Sequence, residues 1–180
     1  MGRIILYIAQ SIDGQIARKD GSVDWLNNYG DPQDYGMNEF MSEIGTIVWG
    51  SKTYEQSLGF GDWMFEPRIT SYVMTKRTDL KLVNDNTFLY NGSAKDLAAK
   101  IKAECDEDIW LMGGAEIITQ FQNEGLIDEL RLFVIPEIIG EGIPLWNNII
   151  HQNKAELQIA QAFHNGVVEL RYELLRPLQQ

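Results

Sequence analysis

The stretch Ile109-Trp110-Leu111-Met112-Gly113-Gly114-Ala115-Glu116 decides how this chain is read. Ile109–Met112 is a short apolar run suited to a strand buried on both faces. Two glycines follow, and a helical pattern over Glu116–Asn123 starts at once and stops at Gly125, which suits the residue after a helix C-cap. Adjacent residues without Cβ atoms let another group come close to the backbone. The unpaired N–H groups and positive dipole end of the helix favour an anion there. In an α/β protein that anion is a phosphate of a nucleotide cofactor. The competing reading is a tight strand-to-helix turn that needs glycine for geometry alone. Ala115-Glu116-Ile117-Ile118 supplies no third glycine, which argues against the Gly-x-Gly-x-x-Gly fingerprint of a standard dinucleotide fold.

Outward from this turn, similar apolar runs recur at Ile4–Ala9, Ile47–Trp49, Ser71–Met74 and Leu130–Ile135. Helical patterns alternate with them. One spans Gln33–Glu43, with Met37, Phe40, Met41 and Ile44 on a common face. Another spans Ala94–Glu104, with Ser93 as N-cap and Asp96 at the capping-box position. Strands alternating with helices imply an α/β fold with a mostly parallel sheet covered on both faces. The end of the chain differs. Glu156–Phe163 and Val167–Leu175 alternate apolar and polar residues around Asn165-Gly166, a strong hairpin signal, so an antiparallel pair closes the sheet. Residues 1–176 are expected to form one domain and residues 177–180 a tail.

The chain has 180 residues, 44% of them hydrophobic, enough for one well-packed domain. A net charge of −11 argues against a nucleic-acid partner. No apolar run has the length of a membrane span, and the N-terminal Met1–Gln10 reads as a strand with one arginine, not a signal peptide. A cytoplasmic protein is the expectation. The single cysteine, Cys105, excludes an internal disulfide, and its acidic neighbours argue against a nucleophile. His151 and His164 are distant in sequence and are expected at the surface; no metal site is expected.

Four turns, far apart in sequence, each end a strand in a similar way. Ala9–Ala17 breaks into an Asp13-Gly14 turn. Val48–Glu55 runs through Gly50 into Ser51, Lys52 and Thr53, where hydroxyls, an ammonium and helix N–H groups could take a phosphate. Val73–Arg77 ends in Thr75, Lys76 and Arg77. The Gly113-Gly114 turn is the fourth. In a parallel sheet these ends share one edge, where ligands bind.

Together these segments resemble the dihydrofolate reductase superfamily, and within it the reductase domain of bacterial riboflavin biosynthesis. The matching pieces are the Ala-x-Ser-x-Asp-Gly run from Ala9, Gly50-Ser51-Lys52-Thr53-Tyr54-Glu55, the strand ending Met74-Thr75-Lys76-Arg77, Trp110–Glu116, and Gly125–Trp146. The resemblance covers nearly the whole chain. It implies a mixed, mostly parallel central sheet flanked by helices, with NADPH bound across the strand ends. Ala9, Ile16 and Ala17 would face the nicotinamide. Gly50, Ser51, Lys52 and Thr53 would hold the pyrophosphate. Thr75, Lys76 and Arg77 would flank the adenosine ribose and its 2′-phosphate, and Gly113, Gly114, Ala115, Glu116 and Ile117 would close the other side. The activity implied is NADPH-dependent reduction of a pyrimidine- or pteridine-like molecule, as in 5-amino-6-(5-phosphoribosylamino)uracil reductase. Dihydrofolate reduction and non-catalytic nucleotide binding are the alternatives.

Departures from the family pattern bear on each choice. Ser51 stands where many members carry arginine, so the preference for NADPH falls to Lys52 or Lys76. The strand Leu132–Ile135 lacks the threonine that helps to grip a pterin, and the catalytic-acid candidates are Asp34 and Glu39. The zinc deaminase domain of complete riboflavin enzymes is absent from this sequence. Trp25, Tyr29, Tyr35, Phe40, Tyr54, Phe60 and Trp63 fall in regions that border the family's substrate cleft, with Trp25, Phe40 and Tyr54 the expected substrate contacts. Related reductases pair through the sheet edge near the C-terminal strands. Val134–Pro136, Ile138-Ile139, Ile143, Leu145 and Trp146 supply an apolar run compatible with a homodimer, or with a core.

Overall fold

Parallel pairing dominates the sheet that these runs build. The computed structural model describes residues 2–30, 34–61 and 64–175. In chain order the elements are β1 (Ile4–Ser11), β2 (Gln15–Arg18), α1 (Met37–Glu43), β3 (Ile44–Gly50), α2 (Ser51–Ser57), β4 (Thr70–Met74), β5 (Thr87–Tyr90) and α3 (Ala94–Glu104). Then follow β6 (Asp108–Gly113), α4 (Ala115–Asn123), β7 (Glu129–Ile135), β8 (Gly142–Pro144), β9 (Lys154–Ala162) and β10 (Val168–Leu175). Eight strands form one sheet in the order β5-β4-β3-β6-β1-β7-β10-β9. The first six are parallel neighbours, and β10 is antiparallel to both β7 and β9. This is the mixed, mostly parallel sheet of a dihydrofolate-reductase-like fold with a C-terminal antiparallel hairpin. β2 and β8 pair separately as a small antiparallel ribbon.

The period-2 alternation of each strand divides the core between the two sheet faces. Ile4 and Leu6 of β1 enter one cluster with Leu97 and Ile101 of α3 and Ile118 and Phe121 of α4. Ile5 and Tyr7 enter the other with Phe40 of α1 and Tyr54 of α2. Both central faces are therefore covered, which is why the strand sequences read as unbroken apolar runs.

Helix ends follow local chemistry. Ser93 Oγ accepts the Asp96 N–H at 3.0 Å and donates to the Asp96 carboxylate at 2.7 Å, so α3 has the bounds the sequence predicts. Gly125 follows α4 with φ +62°. α1 differs: the pattern predicts a start at Gln33, which lies outside the described residues, whereas the helix begins at Met37. Tyr35 and Gly36 hold φ of +56° and +76°, and the Asp34 carboxylate takes the N–H groups of Gly36, Met37 and Asn38. A side chain that captures backbone donors ahead of a helix delays its first turn.

At the hairpin, Gly166 supplies φ +88°, and Phe163 N–H donates to Val167 O at 2.8 Å. The outer strand β9 is exposed along its whole length. Leu157 and Ile159 keep about half and a third of their surface open.

Candidate functional site

Because six neighbouring strands run parallel, Ser11, Gly50, Met74, Gly113 and Ile135 all end on one edge of the sheet. Two of the turns leaving that edge close on each other. A Cβ on Gly50 would stand 3.4 Å from Gly114 N, 3.5 Å from Gly113 O and 3.7 Å from a methyl of Ile117. A Cβ on Gly114 would stand 3.1 Å from Thr53 Oγ1. Gly113 has φ +112°, which side-chain-bearing residues rarely adopt, and the Gly113-Gly114 peptide is cis. Gly50, Thr53, Gly113, Gly114 and Ile117 therefore form one close-packed cluster drawn from two strand-to-helix turns. No side chain caps α4, which leaves its first N–H groups without acceptors inside the helix. Ala115 is half-buried beside them, while Glu116 is exposed in the first turn.

Cations border this cluster unequally. Thr75 N–H donates to Tyr90 O at 2.9 Å, and Thr75 Oγ1 accepts the Arg77 N–H at 3.0 Å. The Arg77 side chain is committed to Asp79 at 3.1 Å and Glu55 at 2.9 Å, and these carboxylates raise its guanidinium further above its ordinary value. Lys52 and Lys76 are exposed and form no ion pair with any other described residue. Ser51 and Thr53 are half-buried, with their hydroxyls at the start of α2.

The Asp13-Gly14 turn is pinned from the far end of the chain. Asp13 takes the hydroxyl of Ser11 at 2.6 Å and the N–H groups of Ile139 and Gly140 at 3.1 and 2.7 Å. The bond from Ser11, reinforced by Ile139 and Gly140, holds its carboxyl below the ordinary carboxylate range. Ile12 N–H donates to Glu137 O, Leu145 N–H to Gly14 O, and Ala17 pairs with Ile143. Ile16 and Ala17 are thereby fixed on β2 against its partner strand β8, while Ala9 lies two residues before the end of β1.

The aromatic candidates separate by burial. Trp25 keeps 5% of its surface, while Phe40 and Tyr54 keep none. Phe40 stacks on Tyr7 with centroids 4.6 Å apart. The Tyr54 hydroxyl donates to Lys81 O and accepts the Val83 N–H, each at 3.0 Å. All three are core side chains. Tyr29 and Tyr35 are partly buried, Phe60 is exposed and Trp63 lies outside the described residues. Of the two acids, Asp34 is occupied in capping α1, as described above. Glu39 is exposed and makes no ion pair with a described residue.

Glu39 borders a cleft of about 330 Å³ between α1 and the β1–β7–β10–β9 face, where it meets Tyr7, Arg131, Gln161, Glu169 and Arg171. Arg131 pairs with Glu129 and lies 5.0 Å from the centre of the Phe40 ring. Glu129 also takes Arg3 at 2.7 Å, and Arg171 reaches Glu169 at 3.0 Å. Burial, with the Glu169 charge added, pushes the Tyr7 phenol above its ordinary value. The sequence reading missed this cleft. Its signal was Arg131 inside an apolar strand, and Glu169 and Arg171 at alternate positions of a strand that pairs with it. A larger cleft, about 490 Å³, opens at the opposite sheet edge. Its cations are spent: Arg68 donates to Ile44 O and Glu66, and Lys100 to Glu104.

Sheet order and edge together define a domain with the dihydrofolate-reductase-like fold. The chain belongs to the RibD C-terminal domain family, whose profile matches residues 3–168. The Bacillus subtilis protein YwjB is 35% identical over 170 residues, covering 94% of this chain and 97% of YwjB. A putative riboflavin biosynthesis protein from Shewanella sp. PV-4 superimposes with a TM-score of 0.87 at 26% identity, over 98% of this chain and all of that one. Dihydrofolate reductase from Enterococcus faecalis, solved with NADP(H), shares the fold at a TM-score of 0.68 and 16% identity, over 96% of each chain.

Proposed function

We propose that this RibD-like reductase uses NADPH to reduce a pyrimidine- or pteridine-like small molecule, in the manner of 5-amino-6-(5-phosphoribosylamino)uracil reduction. The observation that carries the reading is the closure of the Gly50–Thr53 turn onto Gly113–Ile117. Two turns without side chains at their contact, beside the uncapped start of α4, suit a pyrophosphate held by backbone N–H groups. Ser51, Lys52 and Thr53 would hold it from one side, and Gly113, Gly114, Ala115 and Ile117 from the other. Thr75 and Lys76 would take the ribose and 2′-phosphate, Arg77 serving mainly to brace them. Ala9, Ile16 and Ala17 would face the nicotinamide, which when bound supplies the hydride. The chain's own task is to hold the substrate against it and exclude water.

Asp34 is committed to the start of α1, and the strand β7 is apolar from Leu132 to Ile135, without the threonine that would grip a pterin. Both count against dihydrofolate. Reduction of an imine-like ribosylamine needs less proton delivery than reduction of a ring, so the lack of a buried helix acid is tolerable. A homodimer through the sheet edge near the C-terminal strands is part of this proposal, supported by the exposed length of β9 with Leu157 and Ile159, since an open edge is readily covered by a symmetric partner. Light scattering giving the mass of one chain would remove the dimer. Calorimetry tests the cofactor assignment: about one NADPH per chain is expected, with a rise in thermal stability. No heat and no thermal shift with NADPH or NADH at millimolar concentration would end it.

A further inference from the structure

The cleft beside α1 contains a buried charge with one unused oxygen. Glu169 keeps 5% of its surface, and its Oε1 accepts from Arg171 Nη2 at 3.0 Å. Its Oε2 has no hydrogen-bond partner among the described residues. Arg171 Nε is buried 4.0 Å from Glu129 Oε1, while Arg171 Nη2 holds Glu169, and the Gln161 amide, exposed on β9, makes no side-chain hydrogen bond to a described residue. A carboxylate oxygen and guanidinium donors thus stand side by side with capacity to spare. The Glu169 carboxylate is almost wholly buried yet lines the cleft, so a ligand donor reaching its second oxygen would complete its hydrogen bonding.

Strand register says where that ligand would lie. Ala9 pairs with Phe133, Phe133 with Glu169, and Glu169 with Gln161, so the four share one cross-strand row on one face of the sheet. Glu169 is two strands from Ala9, a separation of about 10 Å at the usual spacing of neighbouring strands. Phe133 between them is covered by Tyr7 and Tyr35, so a heterocycle held at the Glu169–Arg171 pair would lie in the cleft over these rings, with Ala9 about 10 Å away.

We propose that Glu169 and Arg171 recognise the substrate's cyclic amide edge: the carboxylate accepts a ring N–H and the guanidinium donates to the adjacent carbonyl. This rests on the reductase reading, and it assigns substrate selection to β10, where the sequence reading looked to the helix acids. Such a site rejects rings whose N–H is alkylated, because alkylation leaves the buried carboxylate unpaired.

The test is titration of the full chain with uracil and with 1,3-dimethyluracil, followed by nuclear magnetic resonance, with and without NADPH. Uracil should shift the backbone amides around Gln161 and Glu169. Both the dimethyl analogue against the wild type and uracil against Glu169→Gln should bind about tenfold more weakly or worse. Equal binding of the two rings, uracil shifts confined to other regions, or no saturation by uracil at millimolar concentration would overturn the proposal. Should Glu169→Gln fail to fold, the two-ring comparison on the wild type decides alone. NADPH is titrated into the same samples. Cofactor binding without ring discrimination defeats this proposal and leaves the reductase reading standing. Ring discrimination without cofactor binding supports the Glu169–Arg171 edge and defeats the cofactor assignment.

Discussion

Replacing Gly114 by valine separates a phosphate cradle from a turn that merely needs glycine. The first atom added would stand 3.1 Å from Thr53 Oγ1, tighter than ordinary van der Waals contact, and the β-branch adds two methyls to a crowded contact. Gly114 does not carry positive φ, so backbone conformation does not forbid a side chain there. The cost to folding is therefore that of overpacking, about 1–3 kcal/mol, small enough for the variant to fold. The cost to NADPH is larger. On the proposed reading, a side chain placed between Gly50–Thr53 and Gly113–Ile117 would displace the pyrophosphate from at least two charge-assisted hydrogen bonds, each about 1.5–3 kcal/mol, or roughly a hundredfold or more in affinity together. Calorimetric titration of NADPH beside urea denaturation reads both costs. Adding Thr53→Ala to Gly114→Val should recover part of the stability and none of the affinity. A folded Gly114→Val that binds NADPH like the parent would refute the cradle.

Three further changes probe separate parts of the account. Lys76→Ala should weaken NADPH by about tenfold and leave NADH unchanged, since only the 2′-phosphate would meet that ammonium; equal losses for both cofactors would move the 2′-phosphate elsewhere. Asp13→Asn tests the pinned turn through pH: the Asp13 carboxyl is held below its ordinary 3.8, so its stabilisation is complete above that value and is lost as pH falls through the lower folded value. The stability gap between wild type and Asp13→Asn, read by denaturation across pH, should accordingly shrink in acid and stay constant near neutrality. Ser93→Ala should cost about 1 kcal/mol by removing the α3 cap, with no change in NADPH affinity.

The fold was legible because its determinants are local or periodic. Apolar runs alternating with helical patterns gave the parallel sheet, and Asn165-Gly166 gave the hairpin. Glycine need is also local, so Gly50, Gly113 and Gly114 could be singled out before their contact was known. That Gly50 touches the Gly113-Gly114 turn follows from β3 and β6 being sheet neighbours, which no single segment reveals. Residue type does not fix exposure for aromatics: Phe40 and Tyr54 have the chemistry of stacking platforms and are wholly buried. The cleft at Glu169 depends on the register of β1, β7 and β10, three strands separated by most of the chain. The apolar run Val134–Trp146 likewise divides, with Ile135 and Leu145 buried and Ile138 mostly exposed, because the chain turns around the Asp13 anchor.

The most direct measurement follows NADPH absorbance in purified protein given a 5-amino-6-ribosylaminouracil phosphate, dihydrofolate, and a panel of other pyrimidines and pteridines. The account predicts cofactor oxidation that needs both protein and a pyrimidine- or pteridine-like ring, is fastest with the ribosylaminouracil type, and is lost in Gly114→Val. Tight NADPH binding with no oxidation by any of these heterocycles would contradict it and leave a nucleotide-binding protein without turnover.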